Sequence, residues 1–317
     1  MAGMPTERAV MQRLEPWHGH CNLQFSVDRL GRTRHQGGCS APFKVLRTEA
    51  GNDNRCELPL LHTAGGLVGG DQLSIDLKLQ TNSRSLITSV AAQKVYGSIG
   101  RSRLDPEGAW ASQTVRAKLA EHSDLEWLPQ ELVLYADALF EQNLEVQLPQ
   151  SASFLSVEIV RLGRTAAAET LKRGRWKTGL CIQRTGPTQT TWELVDRIEL
   201  GGESLMHNHG LSGAPVFGSF VWAAPEPMTS EVTKDLLNEA RNDREDLEGI
   251  MRCSSLNQGI VARYVGHSSR DARFWFSRLW ARTRRYRNLC APSIPRVWPI
   301  QEDPFKRRKQ ASNLDNQ

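Results

Sequence analysis

The sequence predicts a mainly-β fold, a single large strand-rich domain with about two helices in its C-terminal third. Three observations carry this reading. Apolar residues alternate with period two through the first two thirds of the chain, glycine and proline punctuate the alternating segments, and helical spacing appears only late. Successive side chains of a strand point to opposite faces, so Cys21, Leu23, Phe25 and Val27 line one side of a half-buried strand. Leu73, Ile75, Leu77 and Leu79 line one side of another. Further strands are expected over 85–90, 110–119, 139–148, 154–162, 176–184, 190–200, 218–222 and 259–265. A first helix is expected from Ser230 to about Asp243, after Pro225 and Pro227, with Val232, Leu236 and Ala240 on one face. The second carries the stripe Ala272, Trp275, Phe276, Leu279 and Trp280 after a Ser268/Asp271 capping pair. Strands that follow one another without helical segments between them exclude a doubly wound parallel sheet with helices on both faces.

The 317 residues, 39% hydrophobic and 24% charged, suffice to bury a core and exclude wholesale disorder. No apolar run approaches the ~18 residues of a membrane span, and Met1 to Gln12 lacks the apolar core of a secretion signal, so a cytoplasmic protein without membrane association is expected. The six cysteines are scattered singly, with no Cys-x-x-Cys pair, and are expected to be reduced and structural. The net charge of +5 is unevenly spread: residues 261–309 hold 13 Lys/Arg against 3 Asp/Glu, a local +10. Such a patch suits nucleic acid, an anionic membrane or an acidic protein surface, and charge alone does not choose.

The most distinctive stretch is Leu61-His62-Thr63-Ala64-Gly65-Gly66-Leu67-Val68-Gly69-Gly70-Asp71. A phosphate loop needs a helix after its glycines and, in the Walker pattern, a Lys-Ser/Thr pair; here an alternating strand follows and Asp71 would repel phosphate. The glycines are instead expected to serve a tight turn between strands. Asp71, a carboxylate held by that turn, is a hard oxygen ligand if it faces an interior passage.

No catalytic constellation emerges. Gly97-Ser98-Ile99-Gly100 lacks the first glycine of a nucleophile elbow, and no His-Glu-x-x-His occurs. His207 and His209 would share one side of an extended segment, but two imidazoles are too few for a tight metal site, and solvated loop histidines are the simpler reading. The same holds for His18 and His20. Carboxylates inside otherwise apolar strands say more: Glu126, Glu131, Glu158 and Asp196 must face solvent, pair with a cation, or line a wet interior.

From about Gly19 to Pro299 the chain resembles the urease accessory protein D (H) family. The resemblance rests on five ordered marks: the glycine-rich stretch ending at Asp71; Ala92-Gln93-Lys94-Val95-Tyr96; Leu125-Glu126-Trp127-Leu128-Pro129-Gln130-Glu131; Leu162-Gly163-Arg164 with Glu169; and Ile294-Pro295-Arg296-Val297-Trp298. Two positions depart from the family pattern: Ala168 precedes Glu169 where a glycine is usual, and Gly97 follows Tyr96 where an arginine is common. The resemblance implies a non-catalytic, helix-poor, β-helical scaffold at 13–300, followed by a polar, flexible tail at 301–317. It implies urease maturation by nickel insertion, with apo-urease, a helical F-type accessory protein and a G-type GTPase as partners, and a homodimer inside the accessory complex as one arrangement. No cofactor is held tightly; Ni²⁺ passes transiently, with Asp71, Glu158 and Asp196 along its path and Gln93 lining it. Carboxylates spaced along a wet passage hold a borderline ion weakly enough to release it, whereas a Cys/His cage would trap it. The C-terminal region, with Trp275, Arg278 and Arg282, is expected to contribute to docking the F-type protein. The competing reading, from another class, is a basic, strand-rich nucleic-acid-binding protein; it rests on the +10 region alone, without a recognition module.

Overall fold

The computed structural model describes residues 16–186 and 188–307. The chain enters through a hairpin, β1 (His18–Val27) and β2 (Thr33–Cys39), and crosses by the short β3 (Phe43–Val45) and β4 (Glu49–Ala50) into β5 (Cys56–His62). It then coils between two layers. β6 (Gln72–Leu79) is followed by β7 (Arg84–Ser89) and β8 (Gln93–Val95), β9 (Ala111–Leu119) by β10 (Asp124–Trp127) and β11 (Leu132–Leu134), and β12 (Leu139–Pro149) by β13 (Ser153–Leu162). β14 (Arg175–Thr185) turns back into β15 (Thr190–Leu200), and β16 (Val216–Ala223), α1 (Ser230–Asn242), β17 (Ile250–Leu256), β18 (Gly259–Gly266) and α2 (Ser269–Tyr286) complete the order.

Each turn of the coil gives one strand to each sheet. Strands of successive turns therefore stack in parallel: β1, β6, β9, β12 and β14 in the first sheet, β5, β7, β10 and β13 in the second. Parallel neighbours need a crossover, and here the crossover is a strand of the opposite sheet, so no helices intervene. This is the β-helical arrangement the resemblance implied. Antiparallel strands finish the sheets, β2 and β15 at the edges of the first, β3 and the β16–β18–β17 meander on the second.

Burial follows from this layering. The first sheet alternates buried and exposed, as β1 shows, because one face packs inward and the other meets solvent. The second sheet is buried on both faces, and β16 has no exposed residue. One apolar core, with Phe25, Phe140, Phe154 and Trp176, fills the space between the sheets. A second, with Trp222, Trp275, Phe276 and Trp280, joins the second sheet to α1 and α2. Burying each large side chain contributes about 1.5–3 kcal/mol.

The expected strands are present to within a few residues, and both helices start where expected. Thr229 caps α1, its Oγ1 accepting from Val232 N at 3.3 Å, and Ser268 caps α2, its Oγ accepting from Asp271 N at 3.1 Å. The return half of the capping box is not made to Ser268; the Asp271 carboxylate accepts from Glu248 N at 3.2 Å instead. The C-terminal boundary differs from expectation. Pro304 is buried, and Phe305 lies 6.4 Å from Trp280 between ring centroids, so 301–307 packs against α2 rather than forming a tail. Residues 308–317, like 13–15 at the other end, lie outside the described residues.

Candidate functional site

Among the described residues, two short polar rows face one another in the largely apolar interior between the sheets, apart from the buried Arg184–Glu193 pair towards the end of β14. On the first sheet, Gln113 of β9 is in register with Gln142 of β12, and Gln142 with Thr178 of β14. On the second, Glu158 of β13 is opposite Ser219 of β16, and Ser219 is opposite Arg263 of β18. Each occupies an inward position, flanked two places away by core residues such as Phe140 and Leu144 around Gln142 or Val261 and Val265 around Arg263, except that Glu158 has the buried Ser156 on one side and Val160 on the other. Asp196 on β15, opposite Leu180, also points inward. Gln93, Gln113, Gln142, Glu158, Thr178 and Asp196 together border an internal cavity of about 70 Å³.

Hydrogen bonds link the rows. Gln142 Nε2 donates to Glu158 Oε1, and Thr178 Oγ1 donates to the same oxygen at 3.3 Å. Gln93 Nε2 donates to Gln113 Oε1 at 3.1 Å. Arg263 donates both to the Asp196 carboxylate and to Ser219 Oγ. Glu158 faces the cavity but is enclosed by the two sheets. Burial pushes its carboxyl up to about 7; the Thr178 hydrogen bond, the Arg263 charge and the Gln142 hydrogen bond pull it back, while Asp196 adds to the rise.

Asp71 stands apart from this cavity. Its Oδ2 accepts from Val68 N at 2.9 Å and its Oδ1 from Trp17 N at 3.1 Å, so the carboxylate clamps the glycine turn. Gly70 takes φ +98°, and a Cβ on Gly69 would lie 2.1 Å from Ser98 Oγ, so the turn needs glycine for its backbone angle at one position and for close approach at the other. Gly65, Gly66 and His62 of this turn border a second cavity, of about 220 Å³, which shares Gln93, Gln113, Trp127 and Pro129 with the first. Burial lowers the His62 pKa, and the Asp71 charge opposes that shift. Of the expected site residues, the fold thus brings Glu158, Asp196 and Gln93 together and sets Asp71 at the neighbouring turn.

Of the expected docking residues, Trp275 and Arg278 are buried and Arg282 is partly exposed. Trp275 is fully buried, its Nε1 donating to Ala240 O at 2.9 Å. Arg278 is 3% exposed and donates to Asp246 and to the carbonyls of Asp243, Glu245, Pro304 and Lys306. Arg282 is bidentate to Asp243 at 2.8 and 2.9 Å. These three side chains join α2 to α1 and to the C-terminal segment, and of the three Arg282 is the one that also meets solvent. His207 and His209 lie in a turn, not in an extended segment; only His207 borders the adjacent surface cleft, and among the described residues no group of three or more His, Cys, Asp or Glu is placed to hold a metal.

Sequence reasoning missed how the basic region is neutralised. Arg284 pairs with Asp53 and Glu126, Arg287 with Asp124, Arg273 with Glu131, Arg278 with Asp246, Arg285 with Glu239, and Arg296 with Glu49. The carboxylates come from outside residues 261–309, so the local excess is met within the fold and the argument for nucleic acid loses its footing. It also missed that Cys21 and Cys39, free thiols eighteen residues apart, sit opposite one another on β1 and β2.

A coiled protein of two sheets, with two short polar rows facing one another in a largely apolar interior, is the class that fold and site define. The family model described as UreD urease accessory protein matches residues 18–299, and the chain belongs to that family. It is 69% identical over 303 residues to the urease accessory protein UreD of Synechococcus sp. (strain CC9605), covering 96% of this chain and 97% of the relative. The UreD proteins of Parasynechococcus marenigrum (strain WH8102) and Prochlorococcus marinus (strain NATL1A) are 70% and 49% identical, over 93% and 92% of this chain and 94% and 98% of their own lengths. Among the described residues no helix is long and apolar enough to cross a membrane.

Proposed function

We propose that this chain is a cytoplasmic urease maturation factor, a non-catalytic scaffold that docks on apo-urease with an F-type accessory protein and a G-type GTPase and routes Ni²⁺ through its interior. One observation carries the route: two carboxylates, Glu158 and Asp196, border a single polar cavity inside an otherwise apolar interface, in a chain of the UreD family. Buried carboxylates cost free energy, so their presence in an apolar layer calls for a use. Ni²⁺ accepts carboxylate, amide-carbonyl and water oxygens, and the row from Gln93 past Gln113 and Gln142 to Glu158 supplies them without a closing Cys/His set. Glu158, near neutrality, exchanges a proton for a cation at little cost. The path runs from the glycine turn held by Asp71, along the cavity that shares Gln93, to Asp196.

The test is urease activity and urease nickel content in cells that co-express the urease operon with the wild-type chain, no chain, or the Glu158→Gln/Asp196→Asn variant. Complex assembly is followed by pull-down. Loss of activation without the chain, together with a variant that assembles but leaves urease nickel-poor, supports the reading. Full activation without the chain overturns it, and normal nickel loading by the variant retains the scaffold while discarding the path. Asp71→Asn belongs in a separate strain, because Asp71 also holds the turn.

A further inference from the structure

We infer that Arg263 is a latch on the polar interior: its guanidinium occupies the Asp196 carboxylate in place of a cation and must swing away before a divalent ion is held there. The inference rests on the routing reading above and concerns the control of that site.

Arg263 lies between Val261 and Val265 on the inward face of β18, where the strand otherwise presents apolar side chains to the core. An arginine in that register has to be justified by what it reaches, because desolvating a guanidinium is costly unless it is paired. It reaches Asp196 across the gap between the sheets and Ser219 on its own sheet. Ser219 is the direct neighbour of Glu158, so the guanidinium lies within the electrostatic reach of both interior carboxylates. The pair is partly accessible, with Arg263 and Asp196 side chains 27% and 22% exposed, so solvent can take over the solvation of a displaced guanidinium.

The charge arithmetic gives the latch its effect. Glu158 and Asp196, both ionised, match one divalent cation. With Arg263 seated on Asp196, only one carboxylate remains uncompensated, and an arriving dication meets a fixed positive charge within a few ångströms. An ion pair that only ties β15 to β18, at a site where Asp196 holds no cation, gives at most a general electrostatic gain that does not depend on the Asp196 carboxylate, so the Asp196→Asn background separates the two roles.

The experiment is equilibrium dialysis of the full-length chain against NiCl₂, with thermal melts run in parallel. Arg263→Gln is expected to bind Ni²⁺ more tightly than wild type, on the order of tenfold, since one competing ion-pair partner is removed. Arg263→Lys retains the charge without the two-pronged grip and gives a smaller gain of the same sign, which keeps the test decisive if the glutamine variant folds poorly. Adding Asp196→Asn to Arg263→Gln abolishes the gain. Affinity equal to or below wild type in both Arg263 variants overturns the latch. If Glu158→Gln/Asp196→Asn nevertheless weakens binding, the routing reading survives that failure; if it leaves binding unchanged, both fall.

Discussion

At the scale of single residues, the candidate site was readable as a phase error in the strand pattern. Gln113, Gln142, Thr178, Glu158, Ser219 and Arg263 all sit in the apolar phase of their strands. The sequence marked Glu158 and Asp196 as carboxylates among apolar neighbours, but which of the marked carboxylates share a cavity depends on how sheets face each other, and alternation does not encode that. Glu126, for instance, carries the same mark and faces the opposite side of the second sheet, under α2. The raised Glu158 pKa predicts a pH-dependent cost. Below about pH 4 the carboxyl is protonated in both folded and unfolded chains and contributes nothing. As pH rises to about 7 the unfolded chain ionises while the folded one resists, so stability falls across that window and then levels off. Glu158→Gln is therefore expected to melt higher than wild type at pH 8 and close to it at pH 4; equal differences at both values would argue against the burial cost. A second prediction concerns Ala168, which takes φ +54° and ψ 25° just before Glu169, in the left-handed region where the family usually has glycine. Ala168→Gly should stabilise the chain by about 1 kcal/mol in urea titrations, because the Cβ clash is removed without loss of a contact. Gly97 shows the converse: a Cβ there would lie 2.4 Å from Ala136 O, which accounts for glycine at a place where an arginine is common in the family.

At the scale of elements, legibility tracked local pattern. β15 and the starts of α1 and α2 were found because alternation, capping residues and apolar stripes are local signals. β2, β3, β4, β5, β8, β11 and β17 were given no range, and β10, where only Glu126 was marked as a carboxylate inside an apolar strand, is instructive: four residues, Asp124 to Trp127, two of them charged and all buried. Its charges are stable there only because α2 brings Arg284 and Arg287 onto its outer face, while Arg55 approaches from the start of β5. Three guanidiniums and the carboxylates of Asp53, Asp124 and Glu126 form a clasp that ties three distant segments together. Burial works against charge at Asp53, but the Arg55 hydrogen bonds and charge, with the Arg284 charge, outweigh it and hold the carboxyl at about 2. The Asp53 contribution is accordingly full above the unfolded carboxylate pKa of about 4 and is lost as pH falls through about 2. Neutralising one member at pH 7 leaves a buried guanidinium short of a partner. Glu126→Gln is expected to cost about 3–5 kcal/mol in denaturant titration, far more than a surface pair would. A loss below 1 kcal/mol would mean that water or a neighbouring carboxylate replaces the missing charge.

At the scale of the whole molecule, the sequence indicated a β protein without helical crossovers but left the coil itself hidden, because parallel pairing joins residues far apart, such as Gln72 with Ser112 and Ala111 with Phe140, and leaves no local trace. The same non-local logic placed the C-terminal boundary too early. Composition made 301–317 look like a polar tail, yet α2 presents a buried arginine whose donors need acceptors, and the following chain supplies them. Arg278 Nε donates to Pro304 O at 3.1 Å and its Nη2 to Lys306 O at 3.1 Å, while Phe305 covers Trp280. A chain ending at Arg307 keeps these contacts and is the reference for the truncation. One ending at Ile300 loses two of the four carbonyl acceptors of Arg278, those of Pro304 and Lys306, and the apolar cover of Trp280, and should be less stable by about 2–4 kcal/mol, the sum expected from an unmet buried donor and an uncovered aromatic ring. Equal melting temperatures for the two truncations would mean that the segment rests on α2 without contributing to the fold. A loss confined to the shorter chain would instead make 301–307 part of the C-terminal layer, built into the same charge-paired shell that neutralises the basic region.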